Sequence, residues 1–158
     1  MINKQITNII KILKKRHWHI GVMESCTGGA LASSITNIPG CSDVFEEGLV
    51  TYSNRVKVKH GISKKIIDKF GVFSQEVAEE MAKKIGGDIG VGVTGELPGV
   101  VFYSIRVKLR IANYKLSFKT PLPASGGVSP LEKGRVARRI KMKRVVVKKV
   151  FESILDLI

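Results

Sequence analysis

His19-Ile20-Gly21-Val22-Met23-Glu24-Ser25-Cys26-Thr27-Gly28-Gly29 is the stretch from which the fold can be read. Its first half, His19 to Met23, is a short apolar run and predicts a strand. The run breaks on Glu24-Ser25-Cys26-Thr27-Gly28-Gly29, and Ala30-Leu31-Ala32-Ser33-Ser34-Ile35-Thr36 then predicts a helix over about 28–36. The two glycines permit positive φ and a close backbone approach. Ser25, Cys26 and Thr27 place two hydroxyls and a thiol at the break. A helix start presents free backbone N–H groups, which suit an anion or a developing oxyanion. A plainer reading has Ser25 or Thr27 capping the helix while the glycines make the turn.

The chain has 158 residues, enough for one domain (1–158) with a sizeable core. Hydrophobic residues make up 44% and charged residues 25%, a globular balance that argues against disorder. The net charge of +14, from 27 Lys and Arg against 13 acids, favours polyanions, anionic surfaces or phosphate-bearing ligands without choosing among them. Cys26 and Cys41 form no Cys-x-x-Cys pair, and no histidine cluster supports zinc, so no metal and no cofactor is expected. Two free thiols, no apolar run near the roughly 20 residues of a membrane span, and no signal-peptide core predict a cytoplasmic protein without a membrane partner.

Ile6, Ile9, Ile10 and Leu13 recur at helical spacing over residues 3–15, with Lys4, Lys11, Lys14 and Lys15 opposite, and predict a covering helix. Pro39-Gly40 marks a turn, and residues 43–52 predict a strand in which Gly48 marks a bulge or a close approach. Ser53-Asn54 is a cap signal, and Ser63 opens a helix over 64–69 that Gly71 stops. Ser74 caps a further helix with Val77, Ala78, Met81, Ala82 and Ile85 as its apolar stripe. Residues 88–95, 100–109 and 114–119 predict strands, the last two a hairpin that turns at Ala112-Asn113. Pro121 to Pro130 predicts a loop, and Val145, Val146, Val150, Ile154 and Leu157 predict a final helix. Alternation of strands and helices followed by a hairpin predicts an α/β domain, with helices on both faces of a mixed sheet.

Ligands in open α/β sheets sit beyond the carboxyl ends of strands. Three such ends carry hydroxyl or glycine residues: Ser25-Cys26-Thr27, Tyr52-Ser53-Asn54 and Thr94-Gly95. Serine needs a base to become a nucleophile. Neither His17 and His19, before the strand end, nor His60, beyond the turn, is a natural triad member. A lysine serves as base where burial lowers its pKa, and Lys57 lies five residues after Tyr52. Ser25, Tyr52 and Lys57 are therefore a candidate catalytic set, against the reading of a capping serine, an aromatic core residue and a surface lysine.

In order and spacing, Glu24-Ser25-Cys26-Thr27-Gly28-Gly29, Pro39-Gly40, Gly48-Leu49-Val50-Thr51-Tyr52-Ser53-Asn54 with Lys57, Gly71-Val72, Ser74 with Val77 to Ala82, and Val93-Thr94-Gly95 resemble the C-terminal domain of the CinA family, the nicotinamide-nucleotide amidohydrolases (NMN deamidases). The resemblance is close over about residues 5–107 and loose beyond. It implies a three-layer α/β/α sandwich that self-associates as a homo-oligomer. It implies hydrolysis of the carboxamide of nicotinamide mononucleotide to nicotinic acid mononucleotide and ammonia, with no metal. By position, Ser25 would be the nucleophile and Tyr52 and Lys57 its activators. Thr27, Gly28 and Gly29 would hydrogen-bond the substrate or oxyanion, Asn54 would orient the site, and Thr94 and Gly95 would complete the substrate-binding set. Cys26 is a rival nucleophile on chemical grounds.

Two departures from the family pattern stand out. The glycine- and proline-rich loop that typically follows Val-Thr-Gly is cut to Glu96-Leu97-Pro98-Gly99, and the arginine motif before the last helix is matched by Arg135 with Arg138, or by Arg144. Two other functions therefore stand beside the amidohydrolase: a nucleotide-binding family member without turnover, and a polyanion binder using Lys133 to Lys149. No nucleic-acid motif supports the latter.

Overall fold

The computed structural model describes residues 2–119 and 131–158; the loop expected from Pro121 to Pro130 lies outside the described residues. The elements run α1 (Ile2–Arg16), β1 (Ile20–Glu24), α2 (Ala30–Thr36), β2 (Phe45–Val50), α3 (Asn54–Lys59), α4 (Lys64–Phe70), α5 (Gln75–Lys84), β3 (Ile89–Gly95), β4 (Val100–Val107), β5 (Arg110–Ser117) and α6 (Leu131–Leu157). The five strands form one sheet in the order β2-β1-β3-β4-β5. β2, β1 and β3 are parallel, and β4 and β5 continue antiparallel. The sheet is therefore mixed, as expected, and the parallel half gathers the carboxyl ends of β1, β2 and β3 at one edge of the molecule.

The strand sequences sort the two faces. Ile20 and Val22 of β1 with Ile89, Val91 and Val93 of β3 join Ile6, Ile9 and Leu13 of α1, Leu31 of α2, and Val146, Val150 and Ile154 of α6 in the larger core. Each such side chain, fully withdrawn from water, contributes about 1.5–3 kcal/mol. The opposite face of β3 is Gly90 and Gly92, and α5 lies directly on it. A Cβ at Gly92 would stand 2.6 Å from the Ala82 nitrogen and 2.7 Å from the Met81 Cβ, and would overlap the Ala78 carbonyl oxygen. Met23, Ile62, Ile67, Val77, Met81 and Ile85 form the smaller core on that side. Helices α1, α2 and α6 thus cover one face and α4 and α5 the other, a three-layer α/β/α sandwich.

Ser74 accepts from the Val77 N–H at 3.4 Å and caps α5. The far end of α5 is held by Arg106 of β4, which donates to the carbonyls of Ala82 (3.0 Å), Ile85 (2.9 Å) and Gly87 (3.0 Å).

Several boundaries depart from expectation. The hairpin turns at Lys108-Leu109, and Ala112 and Asn113 lie inside β5, paired with Ile105 and Ser104. Lys108 takes φ 53 without a glycine's help, so turn chemistry left no mark in the composition. β2 starts later than residue 43 because Cys41–Asp43 is a single 3-10 turn, and it ends at Val50, short of Ser53, which caps α3. Helix α2 begins at Ala30, since Gly28 (φ 63) and Gly29 (φ 92) both lie in left-handed conformations. The register irregularity opposite β1 falls between Phe45 and Glu47, so Gly48 marks a close approach: its Cβ would lie 3.0 Å from that of Ala32. In α6, Val147 and Phe151 are buried while Val145 and Leu157 are partly exposed, a rotation of the expected stripe.

Gly92→Ala is expected to cost at least about 2 kcal/mol in urea unfolding, the scale of an overpacked core. Gly134→Ala, with nothing within 4 Å on exposed helix α6, is expected to stabilise by about 0.5–1 kcal/mol. Equal, small effects at both positions would contradict the tight seating of α5 on β3.

Candidate active site

Strand β1 ends at Glu24, and the chain then turns under α2. Glu24 is completely buried, and its carboxylate accepts from the N–H groups of Leu31 (3.0 Å) and Ala32 (2.9 Å). The strand's own last residue therefore caps the helix that follows, with a negative charge at the positive end of its dipole. This corrects the sequence expectation twice. Neither Ser25 nor Thr27 is the cap, and two of the N–H groups at the start of α2 are already taken. Among the described residues, the N–H groups of Thr27 and Gly29 donate to no protein acceptor, and the buried Thr27 hydroxyl has no partner.

Ser25 is held on both sides. Its N–H donates to the Val93 carbonyl of β3 at 3.0 Å, and its carbonyl accepts from Gly28 N–H at 3.0 Å. Lys57 reaches it from α3. That helix is capped by Ser53, which accepts from Val56 N–H at 3.3 Å. Lys57 is 0% exposed, with Nζ 3.0 Å from Ser25 Oγ and 2.7 Å from the Thr51 carbonyl oxygen. Thr51 is in turn pinned by its N–H donating to the Glu24 carbonyl at 2.7 Å. Among the described residues Lys57 makes no ion pair, and burial pushes its pKa below the ordinary lysine value of 10.5. Nζ donates to the Thr51 carbonyl and to Ser25 Oγ; once deprotonated, the same contact offers its lone pair to the Ser25 O–H, a geometry available to a general base and its nucleophile.

A cavity of about 240 Å³ opens beside Ser25 and Cys26, walled by Tyr52, Phe73, Gly95, Glu96, Leu97 and Arg139. Cys26 is buried, and burial raises its thiol to about 11, so it holds its proton at neutral pH and is the weaker nucleophile. Tyr52 shares the cavity but is 62% exposed, and its phenol meets Arg139 Nη2 at 3.3 Å instead of contacting Ser25 or Lys57. Gly95 lines the wall. Thr94 is buried behind it, donating from Oγ1 to the Val72 carbonyl at 2.9 Å and so fixing the backbone that carries Phe73. Asn54 is the first residue of α3 and exposed, away from the cavity wall. Gly28 lies close to Lys143, since a Cβ there would stand 3.2 Å from Nζ.

Among the described residues Arg139, and not the expected Arg135, Arg138 or Arg144, is the arginine of α6 that reaches the cavity. It donates to the Leu97 carbonyl as well as meeting Tyr52. Arg135, Arg138 and Arg144 are exposed and do not line it. Arg139 and Lys143 are four apart and share a helix face, a spacing that points to the loop at Gly28 once α6 is laid across the sheet. No group of three or more His, Cys, Asp or Glu among the described residues is arranged to hold a metal ion. None of the described helices is long and apolar enough to cross a membrane.

Native-state alkylation is expected to label the partly exposed Cys41 well before Cys26, as read by peptide mass spectrometry. Labelling of Cys26 at the rate of Cys41 would contradict its burial as a neutral thiol.

A model of the CinA C-terminal domain family matches residues 2–97, more than half of the chain. The CinA-like protein of Kosmotoga olearia is 47% identical over 92 residues, which is 55% of this chain and 22% of that protein. A putative competence-damage inducible protein of Halothermothrix orenii is 41% identical over 125 residues, 69% of this chain and 30% of that protein. The chain therefore spans less than a third of the length of these curated relatives. Among solved structures, the competence/damage inducible protein CihA of Agrobacterium tumefaciens superposes with a TM-score of 0.80 at 24% identity, covering 99% of this chain and 94% of that one. A CinA superfamily protein of Escherichia coli superposes with a TM-score of 0.81 at 20% identity, covering 100% and 91%. These two show the shared fold, and the sequence match places the chain in its family: it belongs to the CinA family, by its C-terminal domain.

Proposed function

We propose that this chain is an amidohydrolase that converts nicotinamide mononucleotide to nicotinic acid mononucleotide and ammonia, with Ser25 as nucleophile and Lys57 as its base. The observation that carries this reading is the buried contact of 3.0 Å between Lys57 Nζ and Ser25 Oγ. Lys57 takes the Ser25 proton as Oγ bonds to the carboxamide carbon. The same proton passes to the nitrogen as the C–N bond breaks and ammonia leaves. Water then attacks the acyl-serine ester with Lys57 again as base, the proton passes from Lys57 to Ser25 Oγ as the acyl C–Oγ bond breaks, and the acid leaves as its carboxylate. The unoccupied N–H groups of Thr27 and Gly29 and the Thr27 hydroxyl supply donors for the oxyanion or the substrate. Arg139 and Lys143 supply positive charge for the phosphate. The cavity of about 240 Å³ is below the usual range of about 300–1,000 Å³ for ligand pockets, so it takes the amide end while the phosphate extends toward α6. Tyr52 acts in this scheme through the cavity wall and Arg139, not through a direct bond to Lys57.

Ammonia release from nicotinamide mononucleotide is expected with wild type, with kcat reduced at least about a thousandfold in Ser25→Ala and Lys57→Met. No release by wild type, with the nucleotide still raising Tm, would replace this reading with that of a binding protein lacking turnover.

The pH dependence has a fixed sign. Lys57 works only when neutral, so kcat/KM should rise with pH on a limb whose midpoint lies below the ordinary 10.5. Between the lowered folded pKa and that ordinary value the unfolded chain binds the extra proton, so stability falls as pH drops through the window. Lys57→Met should therefore be no less stable than wild type at neutral pH while losing activity. A flat profile, or one whose limb lies at 10.5 or above, would contradict the role of Lys57.

A further inference from the structure

Two charges on the wall of the Ser25 cavity are not matched to each other. Glu96 and Arg139 both line it, yet among the described residues Glu96 takes part in no ion pair and its carboxylate accepts no hydrogen bond. Among the described residues Arg139 is met by neutral acceptors alone, the Leu97 carbonyl and the Tyr52 phenol. The same cavity carries two large aromatic side chains left in water, Phe73 at 48% and Tyr52 at 62% exposed. An aromatic face exposed beside an unpaired carboxylate is an arrangement that holds a cation with a flat apolar body, because the ring quadrupole and the carboxylate attract the same charge. The Arg139 guanidinium, held at the Leu97 carbonyl on the same short connection as Glu96, calls for the opposite charge on another part of the same ligand.

We infer that the site selects its substrate by ring charge: Glu96, with Phe73 and Tyr52, receives an amide carried on a positively charged planar ring, an N-substituted pyridinium, and discriminates against the same molecule with a neutral ring. The inference rests on the amidohydrolase reading for the identity of the amide. Glu96 stands at the start of the short Glu96–Gly99 connection between β3 and β4, held by its own N–H donating to the Val100 carbonyl at 2.9 Å. Its backbone is thus fixed while its side chain is exposed to an incoming ligand. Phe73 is fixed through its neighbour, since Thr94 Oγ1 donates to the Val72 carbonyl. The carboxylate and the ring are therefore both mounted on β3, one directly after it and one tied to its last turn. The positive ring also draws electrons from the amide, so the feature recognised is one that makes the carbonyl easier to attack.

The test is a calorimetric titration of the Ser25→Ala protein with nicotinamide mononucleotide and, separately, with its reduced dihydropyridine form, which keeps the amide and the phosphate but has no ring charge. The pyridinium form is expected to bind at least about tenfold more tightly. Adding Glu96→Gln should shrink that ratio to about threefold or less, and Glu96→Asp should restore most of it, at unchanged Tm. A purely structural role for Glu96 would weaken both ligands alike and leave the ratio intact. Equal binding of the two forms, an unchanged ratio in Glu96→Gln, or no binding of either form would overturn the inference. Turnover plays no part in this titration. Ammonia release by wild type together with equal binding would leave the amidohydrolase reading standing and remove this one, and a strong preference without ammonia release would do the reverse.

Discussion

A lysine amine buried beside a serine hydroxyl, with no carboxylate paired to it among the described residues, is the constraint on which the proposed chemistry depends. Lysine is among the costliest side chains to withdraw from water, and it is tolerated inside a fold when it gives up its proton or finds partners. Among the described residues Lys57 Nζ has two hydrogen-bond partners, the Thr51 carbonyl and Ser25 Oγ, and both are uncharged. The buried carboxylate of Glu24 is committed to the first turn of α2. One residue thus does two things: its backbone carbonyl anchors Thr51, which anchors Lys57, while its side chain caps the helix that follows.

The sheet supplies the rigid frame for this arrangement. Parallel pairing of β2, β1 and β3 brings the ends of three strands to one edge, and the glycines of β3 let α5 press close against it. Because α5 is seated so tightly, the segment before it is fixed too, and Phe73 is delivered to the cavity. On the other face, α6 packs Val146, Val150 and Ile154 into the core, and its preceding turns carry Arg139 and Lys143 to the Ser25 loop. The connection after Gly95 is only four residues, Glu96 to Gly99, and Arg139 of α6 reaches the Leu97 carbonyl within it.

Much of this was legible in the residues. The hydrophobic periodicities of α1 and α5 and the strand-break-helix pattern at Ser25 specify their own structure, and Ser25, Tyr52, Gly95 and Cys26 do share one cavity. Lys57 was legible as a candidate by chemistry alone, but its burial was not, since a lysine in Arg55-Val56-Lys57-Val58-Lys59 looks like any surface lysine. The role of Glu24 could have been read from its place immediately before a helix-opening loop, though its carboxylate reaches Leu31 and Ala32, seven and eight residues on, beyond the spacing of an ordinary capping box. Arg139 was hidden among many basic residues: which of them faces the cavity depends on the rotation of α6, and that rotation is set by Val147 and Phe151 packing inward. Asn54 and Thr94 matched by position, yet one is exposed at a helix start and the other is buried in a structural hydrogen bond. The hairpin turn at Lys108-Leu109 carries no glycine, asparagine or proline, so the polar Asn113 attracted the assignment instead.

The measurement that tests the central claim most directly is an NMR titration of the Lys57 side chain in lysine-labelled protein, assigned by comparison with Lys57→Met. The account predicts a midpoint clearly below the ordinary lysine value of 10.5, with the Ser25→Ala protein keeping a lowered midpoint because burial, not the serine, is its cause. A midpoint at or above 10.5 would show a permanently charged lysine beside Ser25 and would contradict its assignment as the base.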